Sequence, residues 1–257
     1  MHIVPECDST NALAMRLRDA QLRPQGWALV AAERQTAGRG RLGRSWDSPL
    51  GAGLTFSVAL AAPAHVPMTQ VGLLPLLAGM AVVEVCRAHG VPAMVKWPND
   101  VLVPAADDPA MVAKLAGVLA ERGPVSAVVG VGLNVTLTAD EAVVPTATSL
   151  AIQGATHLDR ELILAECVAG ILTLWTRVLA GAAADVMAEF RELCVTIGAA
   201  VEIHQPGGRC LRGRATAVDE HGHLEITRAD GSSTVVTAGD VIHVRPPAMG
   251  KNHPDRD

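Results

Sequence analysis

The pattern of apolar and polar positions changes once along the chain, close to Gly198. Before this residue, short continuous apolar runs alternate with longer runs of helical period. After it, apolar and polar residues alternate over short segments separated by glycine-containing turns, as in a small barrel of SH3 type. The pattern predicts an α+β unit over residues 1–197, a barrel over residues 198–246 and a disordered tail over residues 247–257.

Each unit has its own set of predicted elements. In the first unit, helices are predicted over Ala12–Ala20, Thr69–His89, Asp159–Leu179 and Ala183–Cys194. Strands are predicted over Trp27–Ala32, Gly53–Ala61, Ala93–Trp97 and Val101–Val103, with an antiparallel hairpin formed by Lys114–Glu121 and Ser126–Val135. In the second unit, strands are predicted over Val201–His204, Arg209–Val218, Leu224–Arg228, Ser233–Thr237 and Val241–Val244. A surface loop is expected over Pro104–Ala110, and a capping box formed by Thr156 and Asp159 is expected at the third helix.

Composition and charge exclude several classes of protein. The 257 residues are 49% hydrophobic and 18% charged, which is typical of a folded globular chain. The net charge of −5 argues against a general nucleic-acid-binding protein, which would carry an excess of basic residues. The most apolar run, Val71–Val85, is shorter than the roughly 20 residues of a membrane span and predicts a buried helix. The five scattered cysteines indicate reduced cytoplasmic thiols, and His221 and His223 lack a second ligand pair at zinc spacing.

The stretch Gly38–Arg44, in which glycine and arginine alternate, is the hardest to explain by folding alone. Its three arginines repel one another unless an anion lies among them, and its glycines contribute flexibility rather than packing. No Asp or Glu occurs from Ser48 to Val83. We therefore predict a flexible loop that closes over a phosphate or a carboxylate.

Two common nucleotide-binding motifs do not explain this loop. The spacing Gly38-x-Gly40-x-x-Gly43 formally matches the dinucleotide fingerprint, which opens a helix and is followed by an acidic residue about 20 positions later. Here Trp46, a turn and a predicted strand follow, and the required position lies in the acid-free segment. The P-loop pattern of spaced glycines before Lys and Ser or Thr does not occur in the sequence, which excludes a P-loop enzyme.

Three further segments carry more polar groups than the predicted elements need. Asp8–Asn11 places four residues of N-cap type before the first helix, although a plain helix start would also explain them. Lys96–Asp100 ends a strand with polar groups around a proline, or is a purely structural turn. Lys114 begins an apolar strand, where a lone lysine is usually solvated, and alternate glycines in Gly130–Asn134 allow a ligand to lie against the facing strand.

Taken in order, these segments resemble the biotin protein ligases. The resemblance covers nearly the whole chain and rests on Asp8–Asn11, Glu33–Trp46, Lys96–Asp100, Lys114–Gly117, Gly130–Asn134 and Ala147–Leu150. It implies a mixed, mainly antiparallel sheet flanked by helices, of the class II synthetase-like type, with an SH3-like C-terminal barrel. It also implies the short monofunctional type without an N-terminal DNA-binding domain, located in the cytoplasm, with neither DNA nor a membrane as partner.

The resemblance implies a two-step reaction and a role for each matching residue. Biotin and ATP with Mg²⁺ form biotinyl-5′-AMP, and biotin then passes to one lysine of a biotin carboxyl carrier domain of a biotin-dependent carboxylase. Biotin would be bound by Ser9, Thr10, Asn11, Gln35, Arg39, Gly40, Arg41 and Lys114. ATP and the adenylate would be bound by Gly38, Arg39, Arg41, Arg44, Trp46, Lys114, Gly132 and Asn134. Catalysis would fall to Lys114, Arg39, Arg41, Arg44 and Asp100, with no protein metal ligand implied.

Two alternatives stay open at this point. A lipoate or octanoate ligase or transferase shares the fold, but the polar cluster Ser9–Asn11 and the arginine loop favour the polar ring of biotin over an acyl chain. A non-catalytic protein that binds biotin or the carrier would need fewer charges than Lys114 and the three loop arginines supply.

Overall fold

The computed structural model describes residues 1–21, 26–61, 66–105, 112–123, 126–142, 144, 146–205 and 208–243. The elements are β1 (His2–Cys7), α1 (Thr10–Gln21), β2 (Trp27–Gln35), β3 (Gly53–Ala61), α2 (Met68–Gly72), α3 (Leu74–Ala88), β4 (Met94–Lys96), β5 (Asp100–Pro104), β6 (Val112–Arg122), β7 (Ser126–Asn134), α4 (Arg160–Leu179), α5 (Ala183–Leu193), β8 (Ala200–His204), β9 (Cys210–Val218), β10 (Leu224–Thr227), β11 (Ser233–Val236) and β12 (Asp240–His243). The predicted tail and most of the predicted loop Pro104–Ala110 lie outside the described residues.

A seven-stranded sheet of order β1-β2-β3-β7-β6-β5-β4 forms the first unit. All neighbouring strands pair antiparallel except β1 and β2, which pair in parallel. The mixed, mainly antiparallel sheet is confirmed, and the predicted hairpin is the β6–β7 pair. The sequence pattern misses β1, because Pro5 interrupts its apolar run and none of its residues is buried.

Helices cover both faces of this sheet. On one face, Ala14 of α1 packs against Val30, Ala59 and Val128. On the other face, α3 is buried along most of its length and contacts α4, α5 and the strands β4 to β7. The stretch Met68–Ala88 and helix α4 are long and apolar enough to cross a membrane by length and composition alone. Of the most apolar 18 residues in each of these two segments, 72% and 44% respectively are buried inside the protein, as in helices that form a core.

Two helix predictions are wrong in detail. The predicted helix Thr69–His89 is two helices, α2 and α3, because Pro75 has no N–H to donate and is accommodated in the first turn of a new helix. Asp159 is the N-cap of α4 and accepts hydrogen bonds from two backbone N–H groups of its first turn. The Thr156 hydroxyl takes no part in a capping box and instead donates to the carbonyl of His89 at 3.3 Å.

The five strands after Gly198 form a second sheet of order β11-β10-β9-β8-β12, and their bounds match the predicted spans to within one residue. Trp97, which is 1% exposed, joins this barrel to the first unit. Its indole Nε1 donates to the carbonyl of Gly222 at 2.9 Å, and its backbone N–H donates to the hydroxyl of Thr196 at 3.0 Å. Gly222 has a φ of 81°, and a Cβ there would lie 2.7 Å from Leu76, so the barrel turn contacts α3 closely.

The same junction makes the stability of the protein sensitive to acid. Burial, together with the nearby charge of Lys96, lowers the pKa of His243 from its ordinary value of 6.5 to about 4. Between these two values the unfolded chain binds the proton and the folded chain does not, so the free energy of unfolding falls as the pH decreases. We expect His243→Asn to reduce the drop in Tm between about pH 7 and about pH 5. A drop equal to that of the parent, measured by thermal unfolding, would contradict this role.

Candidate active site

A cavity of about 90 Å³ opens where the central strands β6 and β7, the loop after β2 and the first residue of β12 meet. Most of the predicted site residues line it: Ser9, Thr10, Asn11, Gln35, Arg39, Gly40, Arg41, Arg44, Trp46, Asp100, Lys114 and Gly132. The fold therefore brings together residues between Ser9 and Gly132 of the first unit and adds Asp240 from the barrel, which the sequence did not indicate.

One end of the cavity is a buried network of hydrogen bonds. The backbone N–H and the hydroxyl of Thr10 donate to Gln35 Oε1 at 2.8 and 3.1 Å. The hydroxyl of Ser57, which is fully buried, lies 2.8 Å from Thr10 Oγ1 and 2.7 Å from Asn11 Oδ1. Ser57 was not predicted, although a lone serine in the apolar strand β3 was an available signal. Dense polar groups inside a buried pocket suit a small ligand with donors and acceptors on a rigid ring.

Asn11 is fixed by the strands beneath it. Its Nδ2 donates to the carbonyl of Leu119 at 3.1 Å and to Glu121 Oε2 at 2.8 Å. A Cβ at Gly130 would lie 2.2 Å from Asn11 Oδ1, so only glycine permits this contact. The space that the sequence predicted for a ligand beside the glycines of β7 is thus filled, at Gly130, by a side chain of the protein itself. Glu121, a second unpredicted residue, connects this pocket to the arginine loop.

We expect Gly130→Ala to weaken the binding of biotin, the ligand that the sequence resemblance implies, by about tenfold or more, because the new methyl group must displace Asn11 from the pocket. Gly72→Ala is the matched control, since a Cβ at Gly72 meets no atom within 4 Å. Isothermal titration calorimetry with biotin measures both. Equal affinities of the two variants would contradict the predicted role of Asn11 in binding biotin.

The glycine–arginine loop forms a closed turn. The backbone N–H of Trp46 donates to the carbonyl of Gly38 at 2.9 Å, and that of Gly40 donates to the carbonyl of Arg44 at 2.7 Å. A Cβ at Gly38 would lie 2.2 Å from the carbonyl oxygen of Trp46, which explains the glycine. At the tip, Leu42 adopts a φ of 56°, a conformation that L-residues rarely adopt. The predicted flexibility of the loop stays a prediction.

Every cation that lines the cavity contacts an acceptor from a distant part of the chain. The contacts are Arg39 to Glu121 at 3.2 Å, Arg41 to Asn99 Oδ1 and to the carbonyl of Gly239 at 3.2 Å each, Arg44 to Asp240, and Lys114 to Asp100 at 2.6 Å. Burial lowers the pKa of Arg41, and the neighbouring Arg44 lowers it further while Asp100 opposes both effects. Carboxylates that are remote in sequence therefore offset the repulsion among the arginines.

Trp46 separates this cavity from a second one of about 340 Å³. Its indole lies on the paired residues Gly117 and Gly132, where added Cβ atoms would come within 3.0 and 2.3 Å of the ring. Trp46 and Lys114 line both cavities, and Lys114 Nζ is 5.7 Å from the indole centroid. Asn134 lines the second cavity, and its Nδ2 donates to the backbone of the Ala147–Leu150 segment.

A separate cluster on the barrel has the donor types of a metal site. In the part of the chain that the structure describes, ligand atoms of Glu202, His204 and Cys210 lie within 4.8 Å of one another. Glu202 already accepts from Arg212 at 2.6 Å and contacts His204 at 2.8 Å. Since the strongest acceptor of the cluster is engaged by an arginine, we assign no metal to it.

Comparison with known proteins identifies the family. The model of the biotin/lipoate A/B protein ligase family matches residues 4–137, and that of the biotin protein ligase C-terminal domain matches residues 196–244. The chain therefore belongs to the biotin/lipoate A/B protein ligase family.

Within this family, the chain is similar to proteins named as biotin ligases. The biotin–[acetyl-CoA-carboxylase] ligase of Mycobacterium tuberculosis is 39% identical in an alignment over 253 residues that covers 95% of this chain and 89% of the relative. The bifunctional ligase/repressor BirA of Bacillus spizizenii is 28% identical over 84% of this chain and 66% of the relative. The solved biotin protein ligase from Aquifex aeolicus in complex with biotin and ATP superposes with a TM-score of 0.76 at 27% identity, over 95% of this chain and 98% of that one.

Proposed function

We propose that the chain attaches biotin to protein in two steps that share one site. Biotin and ATP form biotinyl-5′-AMP and pyrophosphate, and biotin then passes to a lysine of a biotin carboxyl carrier domain with release of AMP. The name of the Mycobacterium tuberculosis relative, a biotin–[acetyl-CoA-carboxylase] ligase, supports a carboxylase carrier as the acceptor.

The observation that carries the proposal is the wall common to the two cavities. The first cavity ends in the polar network of Thr10, Asn11 and Gln35, which suits the ureido ring of biotin. The second is the larger and suits adenosine, with Asn134 in its lining. Lys114 lies between them, at the place where the biotin carboxylate and the α-phosphate of ATP would meet.

The first step needs positive charge more than it needs an acid or a base. An oxygen of the biotin carboxylate attacks the α-phosphorus, the new O–P bond forms, and the bond to pyrophosphate breaks. Two anions must approach each other and a third must leave, so preorganised cations lower the barrier. We assign Arg39, Arg41 and Lys114 to the carboxylate and α-phosphate, and Arg44 to the departing phosphates.

Mg²⁺ would supply further charge at the phosphates. Magnesium in such sites is usually bound by one or two carboxylates together with the phosphates of the substrate. Asp100 and Asp240 line the cavity, but each already contacts a cation, Lys114 and Arg44 respectively, so we assign no protein ligand to the metal and place its coordination on the phosphates of the substrate.

The second step needs the incoming lysine to be neutral. Its nitrogen attacks the carbonyl carbon of the mixed anhydride, the C–O bond to AMP breaks, and one proton leaves the amine. Asp100 lies 2.6 Å from Lys114 Nζ and is the nearest carboxylate to the reacting centre. We assign to it the orientation of Lys114 first and the acceptance of that proton second.

The remaining assignments follow the family. We propose residues 1–197 as the catalytic unit and residues 198–246 as the SH3-like unit, acting in the cytoplasm. Cys7, Cys86, Cys167, Cys194 and Cys210 are all free thiols, which supports a reducing compartment.

Biotin-dependent exchange of labelled pyrophosphate into ATP tests the first step. We expect exchange with biotin and none with lipoate or octanoate. Exchange with lipoate alone would favour the lipoate ligase alternative, and binding of biotinyl-5′-AMP without exchange would favour a non-catalytic protein. Transfer to a purified carrier domain, compared with the same domain lacking its acceptor lysine, tests the second step by mass spectrometry.

A further inference from the structure

The barrel touches the arginine loop at two adjacent residues. Asp240, the first residue of β12, accepts a hydrogen bond from Arg44, and the carbonyl of Gly239 accepts one from Arg41 at 3.2 Å. Arg44 and Asp240 are 196 positions apart in the sequence, so the contact joins two distant parts of the chain. Asp240 also lines the cavity itself, so the barrel forms part of its wall.

The barrel side of this contact is held firmly. Asp240 pairs with His204 in the antiparallel ladder of β12 and β8. A Cβ at Gly239 would lie 2.6 Å from Ile203 Cγ2 and 3.3 Å from the carbonyl of His204, so the turn before β12 packs directly on β8. The carboxylate of Asp240 is therefore presented by a fixed backbone to an arginine on a glycine-rich loop.

The contact leaves Arg44 able to bind a ligand. A guanidinium carries five N–H donors, and Asp240 takes one from Nη2, so the remaining donors are available to phosphate oxygens. The side chain of Arg44 is 58% exposed at the mouth of the cavity, whereas Asp240 is 32% exposed behind it. An unpaired arginine beside Arg39 and Arg41 would be pushed away by like charge and would sample many rotamers.

We propose that Asp240 is a positioning residue for the nucleotide: it holds Arg44 toward the triphosphate of ATP. The inference rests on the proposed function, in which Arg44 meets the outgoing phosphates. It assigns to Asp240 a part in the placement of the nucleotide.

The test separates KM for ATP from KM for biotin in pyrophosphate exchange. We expect Asp240→Asn to raise KM for ATP by about tenfold, with KM for biotin within about twofold of the parent. Glu202→Gln is the matched control, because Glu202 is a barrel carboxylate that binds Arg212 and not the loop. It is expected to leave both constants unchanged.

A double-mutant cycle shows whether Asp240 acts through Arg44. In an Arg44→Ala background, Asp240→Asn is expected to add no further loss. A further loss there, or a fall in Tm that accounts for the effect, would replace the proposal with a purely structural role.

ATP titration by calorimetry measures the affinity for ATP independently of turnover. If the parent shows no exchange, the proposed function fails, and an unchanged ATP affinity of Asp240→Asn would overturn this inference by itself.

Discussion

Lys114→Ala is expected to lower biotin-dependent pyrophosphate exchange by about 100-fold or more, about 2.7 kcal/mol in the activation free energy. Lys114 lines both cavities, and its Nζ forms an ion pair with Asp100 at 2.6 Å. Its removal leaves the biotin carboxylate and the α-phosphate to approach without the charge between them. Asp100 would add to the loss, because its carboxylate then remains beside two anions.

Two companion variants make this result specific. Arg212→Ala removes a cation from the exposed surface of the barrel and is expected to leave the exchange rate within about twofold of the parent. Lys114→Arg keeps the charge but replaces a compact ammonium by a planar fork, so we expect an intermediate rate. An alanine variant with more than about one third of the parental kcat/KM would remove Lys114 from the catalytic centre.

Trp97→Ala is expected to lower the free energy of unfolding by about 3–5 kcal/mol. The side chain is 1% exposed, fills the junction between the two units and donates its indole N–H to the carbonyl of Gly222. The variant creates a cavity and leaves that carbonyl without its donor. Urea unfolding followed by circular dichroism measures the change.

Trp97→Phe helps to separate the two causes, because it removes the hydrogen bond and keeps most of the packing. We expect it to cost about 1–2 kcal/mol. Trp27→Ala is the matched control, since Trp27 is 50% exposed and its loss is expected to change stability by about 0.5 kcal/mol or less. A Trp97→Ala cost no larger than that of Trp27→Ala would show that the junction does not stabilise the fold.

The sequence predicts this fold well wherever the period of the apolar residues is strong. The barrel strands and the β6–β7 hairpin follow directly from alternation and turns, because both features are local. Strand β1 is missed because Pro5 interrupts its apolar run and none of its residues is buried. The break at Pro75 is missed because the apolar period continues through it.

The sequence likewise predicts some residues of the candidate site and misses others. Motif residues such as Thr10, Arg41 and Lys114 are found by their spacing, and the structure brings them to one cavity. Ser57, Glu121 and Asp240 are not found, because their contacts with the site form only when distant strands pair. A single sequence specifies which groups carry charge, and only the fold specifies which carboxylate faces each cation.

Trp46 forms part of the wall of both cavities. Its indole covers paired glycines, and its buried Nε1 has no hydrogen-bond partner among the residues that the structure describes. Any ligand that fills either cavity therefore contacts the same ring. If biotin shifts that ring and so changes the affinity for nucleotide by some factor, linkage requires nucleotide to change the affinity for biotin by the same factor. The fluorescence of this indole would then report the coupling free energy between the two substrates, measured from either side.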